Sequence, residues 1–499
     1  MTAPITETAD IQGLLRAGYD SMKEACFLLL SVTDATTARA WLAAAPVTTV
    51  RHLERRITTA LHVALTAAGM RALGVAEGVI SGFSAEFITG MAGDDGRSRR
   101  LGDVAANAPS GWHWGGAREP HVLLMLYAET GLDTWRQQIE TAGFRQGFAV
   151  LETLETSDMN GREPFGFTDG VSQPRLDWSA ERQPGTSADL EYGNLLSAGE
   201  FLLGYRNEYG LYTDRPLLEP NQPGAQGLPS AEDNPARHDL GRNGSYLVFR
   251  ELAQDVRGFW RFIAAQTADE AARVTFAQAM VGRRISGEGL IPTGTRRIRG
   301  VGPDATDIAR NQFTYDQDRE GLLCPFGAHV RRANPRTGDM PGGRQGLIAQ
   351  LIRMLGFGHQ DLSQDVIAAS RFHRIIRRGR EYGEKLTPEI AAQPDAPDPH
   401  SGLHFICLAA NIARQFEFIQ NAWLMSAKFD SMSGEADPLI GNRAELPPGQ
   451  PTDGFTVQQP NGLNHRIGGI PAFVTVRGGA YFFLPGLRAL RYMAAGPGA

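Results

Sequence analysis

Short apolar runs, each followed by residues at helical spacing, alternate along the first third of this chain. Cys26–Val32 is a run of five large or sulfur-bearing apolar residues closed by Ser31 and Val32, the pattern of a strand covered on both faces. Thr36 and Thr37 stand before the alanine-rich stretch Ala38–Ala45, a helix with a plausible N-cap. Leu61–Thr66 reads as a second strand and Ala67–Leu73 as the start of a helix, while 93–110, rich in Gly, Asp and Arg, reads as a loop. His121–Ala128 is a third strand, Leu132, Trp135 and Ile139 share one helical face, and Phe148–Leu154 is a fourth strand. This order matches a split βαβ, ferredoxin-like unit.

The pattern returns after a Pro-, Gly- and Asn-rich connection at 214–244. Ser245–Phe249 predicts a strand, and Val256, Phe259, Trp260 and Ile263 an amphipathic helix. Residues 284–320 read as irregular, Leu347–Leu355 as a short helix in an insertion before Arg371, and Leu403–Ala410 as a central strand. Ile412, Phe416, Ile419 and Trp423 share a helical face, and 432–470 is a long polar excursion. Phe473–Val476, Arg477-Gly478-Gly479 and Ala480–Leu484 predict a hairpin with a tight Gly-Gly turn. The expected fold is α+β: two ferredoxin-like domains with antiparallel sheets, 1–213 and 245–499, joined by 214–244.

Composition narrows the function. A net charge of −6 argues against bulk nucleic-acid binding. Cys26, Cys324 and Cys407 are odd in number and far apart, so they form neither a disulfide framework nor a CxxC metal site. Without CxxCH, any haem is expected to be held non-covalently. The first residues show no basic and apolar leader, and the apolar runs fall far short of a membrane span, so a cytoplasmic location and no membrane partner are expected.

Three segments carry candidate chemistry. Cys324-Pro-Phe-Gly-Ala-His329-Val-Arg331-Arg332-Ala-Asn-Pro-Arg336 sets one histidine after a turn and follows it with three arginines, a combination suited to a metal in a flat, anionic cofactor. The plainer reading is a structural histidine beside a turn. Glu163-Pro-Phe-Gly166-Phe-Thr-Asp169-Gly170 places a carboxylate between glycines, either aimed into a cavity or on a surface Asp-Gly turn. Arg371–Arg380 holds five arginines and His373, either a distal cation or a solvated basic patch. A ligating histidine needs an acceptor on its other ring nitrogen, and Glu417, next to Phe416 on the apolar helical face, is a candidate. Arg336 is a candidate partner for a carboxylate of the cofactor. A carboxylate such as Asp169 can shuttle a peroxide proton, and a guanidinium such as Arg377 can stabilise charge on the breaking O–O bond.

Together these segments resemble the dye-decolourising peroxidase family. Gly166-Phe-Thr-Asp169-Gly170 matches its GxxDG motif. The Cys324–Arg336 run resembles the proximal-histidine segment of its fungal and long bacterial members, and Arg374-Ile-Ile-Arg377-Arg-Gly-Arg-Glu-Tyr382-Gly383 its distal-arginine segment. Similarity extends through Phe201–Tyr205, Gly244–Val248, Gln415–Gln420 and Val476–Leu484, covering most of the chain from about residue 26. The resemblance implies two ferredoxin-like domains with haem b in the second. It implies His329 as proximal iron ligand, Asp169 as distal acid/base, Arg377 as distal arginine and Arg336 on a propionate. Spacing alone does not separate Arg377 from Arg374; the Ile375-Ile376 match favours Arg377. Gly379 stands where some compact bacterial members carry a distal asparagine.

The function this implies is reduction of hydrogen peroxide with oxidation of dyes, phenols or similar aromatic donors. Trp423, Tyr382 and Tyr481 are conceivable electron relays, though for each a core aromatic is the favoured reading. A rival reading is a haem carrier or sensor on the same fold, which needs His329 but neither Asp169 nor Arg377. An iron-free hydrolase lacks any GxSxG motif to support it.

Overall fold

The computed structural model describes residues 4–184, 192–337, 370–443 and 451–496. The first half runs β1 (Glu24–Val32), α1 (Ala35–Ala44), β2 (Thr59–Leu65), β3 (Val122–Ala128), α2 (Leu132–Ile139) and β4 (Phe148–Glu155). The second half runs β5 (Ser245–Gln254), α3 (Val256–Ala265), α4 (Glu270–Val281), α5 (His329–Ala333), β6 (Ile376–Arg377), β7 (Arg380–Tyr382), β8 (Gly402–Ala409) and β9 (Val474–Leu484). These nine strands form one sheet in the order β6-β8-β5-β9-β2-β3-β1-β4, with β7 also on β8. Every pairing is antiparallel. With β6 and β7 counted as one interrupted strand, each half has the ferredoxin-like order fourth-first-third-second. The halves meet where β9 reaches β2, through the Phe483–Leu65 pair.

The unbroken apolar run in β1 follows from this layering. Cys26, Leu28 and Leu30 bury into the core on one face, Phe27 and Leu29 into the core on the other. Successive strand side chains point to opposite faces, so a sheet covered on both sides needs no polar alternation. Asp34 caps α1, its carboxylate accepting the Thr37 N–H, and Ala38 and Leu42 face the sheet. In the second half Asp255 caps α3 in the same way at Gly258. Val256, Phe259, Trp260 and Ile263 are all buried, as the helical spacing predicts.

The expected hairpin at 473–484 is instead one strand, β9, that continues through Gly478 and Gly479 along the whole of β5. Its register slips between Val476 and Gly478, a bulge rather than a turn. The glycine is there for close approach: a Cβ at Gly478 would lie 2.5 Å from the Trp114 indole. The helical face at 412–423 is present but wide. Ala413–Glu417 and Ile419–Met425 are π-helical, and the Glu417 N–H donates to the Ile412 carbonyl at 2.9 Å. The expected helix at Leu347–Leu355 lies outside the described residues. No described helix is long and apolar enough to cross a membrane.

Candidate active site

A cavity of about 270 Å³ opens between the sheet of the second half and the loops that follow β4 and α4; Asp169, His329 and Arg377 all line it. Much of its remaining wall is apolar, including Phe167, Val281, Val330, Ile375, Leu424 and Ile440.

Asp169 is placed by a loop held at many points. Gly166 (φ +102°) and Gly170 (φ +73°) both take the left-handed side of backbone space, which a residue with a Cβ resists. Both carboxylate oxygens of Glu163 accept backbone N–H groups, from Phe165 at 3.0 Å and Phe167 at 2.9 Å, and the Gln254 amide donates to the same carboxylate at 2.9 Å. Trp260 on α3 donates its indole N–H to the Phe165 carbonyl at 3.1 Å, tying a loop of the first half to a helix of the second. The Thr168 N–H and hydroxyl both reach the Ile285 carbonyl.

Arg377 sits on β6 opposite Cys407, its backbone N–H donating to the Gln173 side chain at 3.0 Å. Its Nη1 donates to Asp169 Oδ1 at 2.7 Å. The two side chains keep 31% and 33% of their surface accessible, so both present polar atoms to the cavity while paired. Burial alone would raise the Asp169 carboxyl; the Arg377 charge, with the Gly170 N–H, outweighs it and holds Asp169 below its ordinary value. Arg374, two residues before β6, turns elsewhere: Nη1 donates to the Tyr192 hydroxyl at 3.2 Å and Nη2 to Asn194 Oδ1 at 3.1 Å. The arginine on Asp169 is therefore Arg377.

His329 opens α5 after the Pro325-Phe326-Gly327 turn, which is closed by the Ala328 N–H on the Pro325 carbonyl. Its Nδ1–H donates to Asp437 Oδ2 at 3.0 Å, because an ionised carboxylate can only accept. The other oxygen of Asp437 accepts the Leu439 and Ile440 N–H groups at 3.0 Å each, and the carboxylate has no exposed surface. Burial alone would lower the His329 pKa, but the Asp437 carboxylate outweighs it and raises it. With Nδ1 engaged, Nε2 is the ring nitrogen left for a metal.

Glu417, the expected partner of His329, is not that partner. It accepts from the Tyr481 hydroxyl at 2.9 Å and pairs with Arg97 at 2.8 Å. Asp437 takes its place. Glu417 lies beside Tyr481 of β9 and Arg97 instead. Nothing local marked Asp437, which lies 108 residues from His329 within the polar excursion.

The arginines after His329 divide their work. Arg331 pairs with Asp318 at 3.1 Å, and Arg332 donates to the Trp423 and Glu435 carbonyls. Arg336 is 1% exposed and has φ +55°. Its Nη1 donates to the Asn311 and Phe313 carbonyls, while Nε and Nη2 meet no acceptor among the described residues. Arg283 Nη2 is likewise buried without an acceptor. Burial and the nearby Arg336 and Arg377 charges push the Arg283 guanidinium down to about 10. Arg283 and Arg374 line the cavity and make no ion pair among the described residues, and the Arg336 charge lies close to both. Such buried donors are costly unless an anionic group meets them.

Of the candidate relays, Trp423 and Tyr481 are 5% and 1% exposed, so neither is a surface residue. Tyr382 is half-buried and stacks on His404 with ring centroids 4.6 Å apart.

The cavity thus brings together a carboxylate–guanidinium pair, a carboxylate-supported histidine and two arginines that make no ion pair among the described residues. The chain is 30% identical over 455 residues to the multifunctional dye peroxidase DyP2 of Amycolatopsis sp., spanning 87% of this chain and 82% of that one. It is 29% identical over 507 residues to the dye-decolorizing peroxidase msp1 of Mycetinis scorodonius, spanning 97% and 86%. The crystal structure of a fungal DyP-type peroxidase from Auricularia auricula-judae superposes with a TM-score of 0.71 at 24% identity, covering 99% of this chain and all of that one. No protein-family model matches the chain. The chain belongs to the dye-decolourising peroxidase family, a family of oxidoreductases.

Proposed function

We propose that this protein is a haem b peroxidase that reduces hydrogen peroxide and oxidises dyes, phenols or related aromatic donors. The observation that carries the reading is that Asp169 paired with Arg377, and His329 paired with Asp437, line one cavity. The residues fit the cofactor: a largely apolar cavity, one ring nitrogen free for iron, and for the propionates Arg283 on the cavity wall and the neighbouring Arg336, each with buried N–H groups that meet no acceptor among the described residues. Haem, when bound, supplies the redox chemistry by which peroxide is reduced in one two-electron event and donors are oxidised one electron at a time.

The chain's own groups have distinct tasks. His329 offers Nε2, and Asp437 fixes the ring and makes it more basic. The Asp169 carboxylate accepts a proton from one peroxide oxygen and returns it to the other, with Oδ1 held by Arg377. Arg377 stabilises negative charge on the departing oxygen. Arg336 would bind a propionate, a role supported by its buried Nε and Nη2, which meet no acceptor among the described residues.

An absorption spectrum of the haem-loaded protein, before and after one equivalent of peroxide, tests this. A ferric Soret band that changes within the mixing time is expected. Stable haem binding with no fast reaction would point instead to a carrier, and failure to bind haem would remove His329 from the centre of the site.

A further inference from the structure

Two carboxylates of one loop line the cavity, Asp169 and Glu163. Asp169 has a cation beside it, Arg377 at 2.7 Å, whereas Glu163 makes no ion pair among the described residues. N–H donors meet the Glu163 charge instead. Its Oε2 accepts the Phe165 N–H at 3.0 Å and the Gln254 amide at 2.9 Å, and its Oε1 accepts the Phe167 N–H at 2.9 Å. Desolvation pushes the Glu163 carboxyl up to about 7 against those donors, and the Asp169 charge adds to the rise. A desolvated anion without a cation is costly to keep, so its place in the loop needs a reason.

The reason lies in what that carboxylate gathers. Residues 161–169 close on themselves as a lobe. Arg162 and Thr168 pair antiparallel, and the Asp169 N–H donates to the Gly161 carbonyl at 3.1 Å. Within the lobe the Glu163 N–H reaches the Phe167 carbonyl at 2.9 Å, and the Glu163 carbonyl accepts the Gly166 N–H at 2.8 Å. From outside, the Trp260 indole holds the Phe165 carbonyl and the Ile285 carbonyl holds Thr168. Asp169 leaves the lobe at its neck, so its direction follows from the turn that the Glu163 carboxylate draws together. Gln254 then ties that turn to β5, in the same sheet that carries Arg377 on β6.

We propose that Glu163 is the positioning residue of the Asp169–Arg377 pair: its carboxylate binds the 165–167 turn, and through Gln254 the sheet, and so aims Asp169 at Arg377 and at the peroxide. This rests on the peroxidase reading above and adds a residue to that reaction. Glu163 exchanges no proton with peroxide; it acts through Asp169. Glutamine is the sharp replacement. It keeps the size and shape of the side chain but offers one acceptor oxygen where the turn presents donors to two. In either orientation its NH2 faces an N–H donor, that of Phe167 in one and that of Phe165 in the other.

The test is a double-mutant cycle on the haem-loaded protein, read as the rate of reaction with peroxide per bound haem. Glu163→Gln lowers that rate about 10–100-fold in the parent, because a displacement of about 1 Å in Asp169 is enough. In an Asp169→Ala background the same substitution changes the rate less than about twofold, because nothing remains to be aimed. A fall of the same size in both backgrounds, or no fall in the parent, overturns the inference. Gln254→Met removes one donor from outside the lobe and lowers the parent's rate about 2–10-fold. It decides the question if Glu163→Gln does not fold, and an unchanged rate there overturns the inference equally. Hydrogen exchange separates this inference from the peroxidase reading. Exchange over residues 163–169 quickens at least about tenfold in Glu163→Gln, with or without haem. Quickened exchange in a protein whose haem form ignores peroxide removes the peroxidase assignment and upholds the hold of Glu163 on the Asp169 loop. A peroxide reaction lost in Asp169→Ala but untouched in Glu163→Gln keeps the peroxidase and overturns the positioning role.

Discussion

In the first half of the molecule the connection from β1 to β2 covers residues 33–58 and carries α1, packed flat on the sheet. In the second half the corresponding connection, from β5 to β6, runs from 255 to 375 and carries α3, α4 and the histidine helix α5. The strand order is the same, yet one half is nearly all core and the other is built around a cavity. The first half contributes the Asp169 loop, which leaves β4 and docks onto α3 of the second half through Trp260 and onto β5 through Glu163 and Gln254. The difference shows how one antiparallel frame serves two purposes. The frame supplies rigidity, and the extended connections supply the polar groups and the space between them.

That contrast can be broken by substitution. Asp169→Ala removes the proton shuttle and should lower kcat/KM for peroxide by about 10²–10⁴-fold, with thermal stability nearly unchanged; stopped-flow peroxide kinetics and a melting curve check both halves of the claim. Arg377→Leu should cost about 10²–10³-fold and also move the pH profile. Asp169 is held below its ordinary value by the Arg377 charge, so its base form persists as pH falls through the usual aspartate range of about 3.9. Without Arg377, burial dominates and raises the carboxyl. The acid limb of kcat/KM then shifts to higher pH; a limb that stays in place shows that another group sets it. Asp437→Asn should lower haem affinity or turnover by about 10–100-fold, read from haem transfer to apomyoglobin.

Two further variants should leave turnover per bound haem within about twofold while lowering stability. Leu124→Ala, in the fully buried middle of β3, should cost about 2–5 kcal/mol in denaturant unfolding. Glu417→Gln breaks the buried contact with Arg97 and should cost about 1–3 kcal/mol. A large effect of Glu417→Gln on haem affinity would restore it as a partner of the proximal histidine.

Much of this frame was legible in the chain. Among the described residues the strand and helix signals, including α1 and the α3 stripe at 256, 259, 260 and 263, depend on local periodicity and held within a few residues, although 93–110, expected as a loop, carries a helix at Asp95–Leu101. Gly478-Gly479 misled because a glycine pair reads as a turn, whereas here it makes room for Trp114 from the other half of the chain. Such a contact leaves no mark on its own neighbourhood in sequence.

The site divides along the same line. Local sequence carried the chemical types: a carboxylate between two glycines, a histidine after a Pro-Phe-Gly turn, and arginines clustered at 371–380. Each of those is a property of a few consecutive residues. The pairings came from the fold: Asp437 rather than Glu417 on His329, and Asp169 on Arg377, the arginine that the Ile375-Ile376 match had favoured over Arg374. Pairing is a matter of distance and desolvation between groups more than a hundred residues apart, and neither quantity is encoded at the positions of the partners themselves.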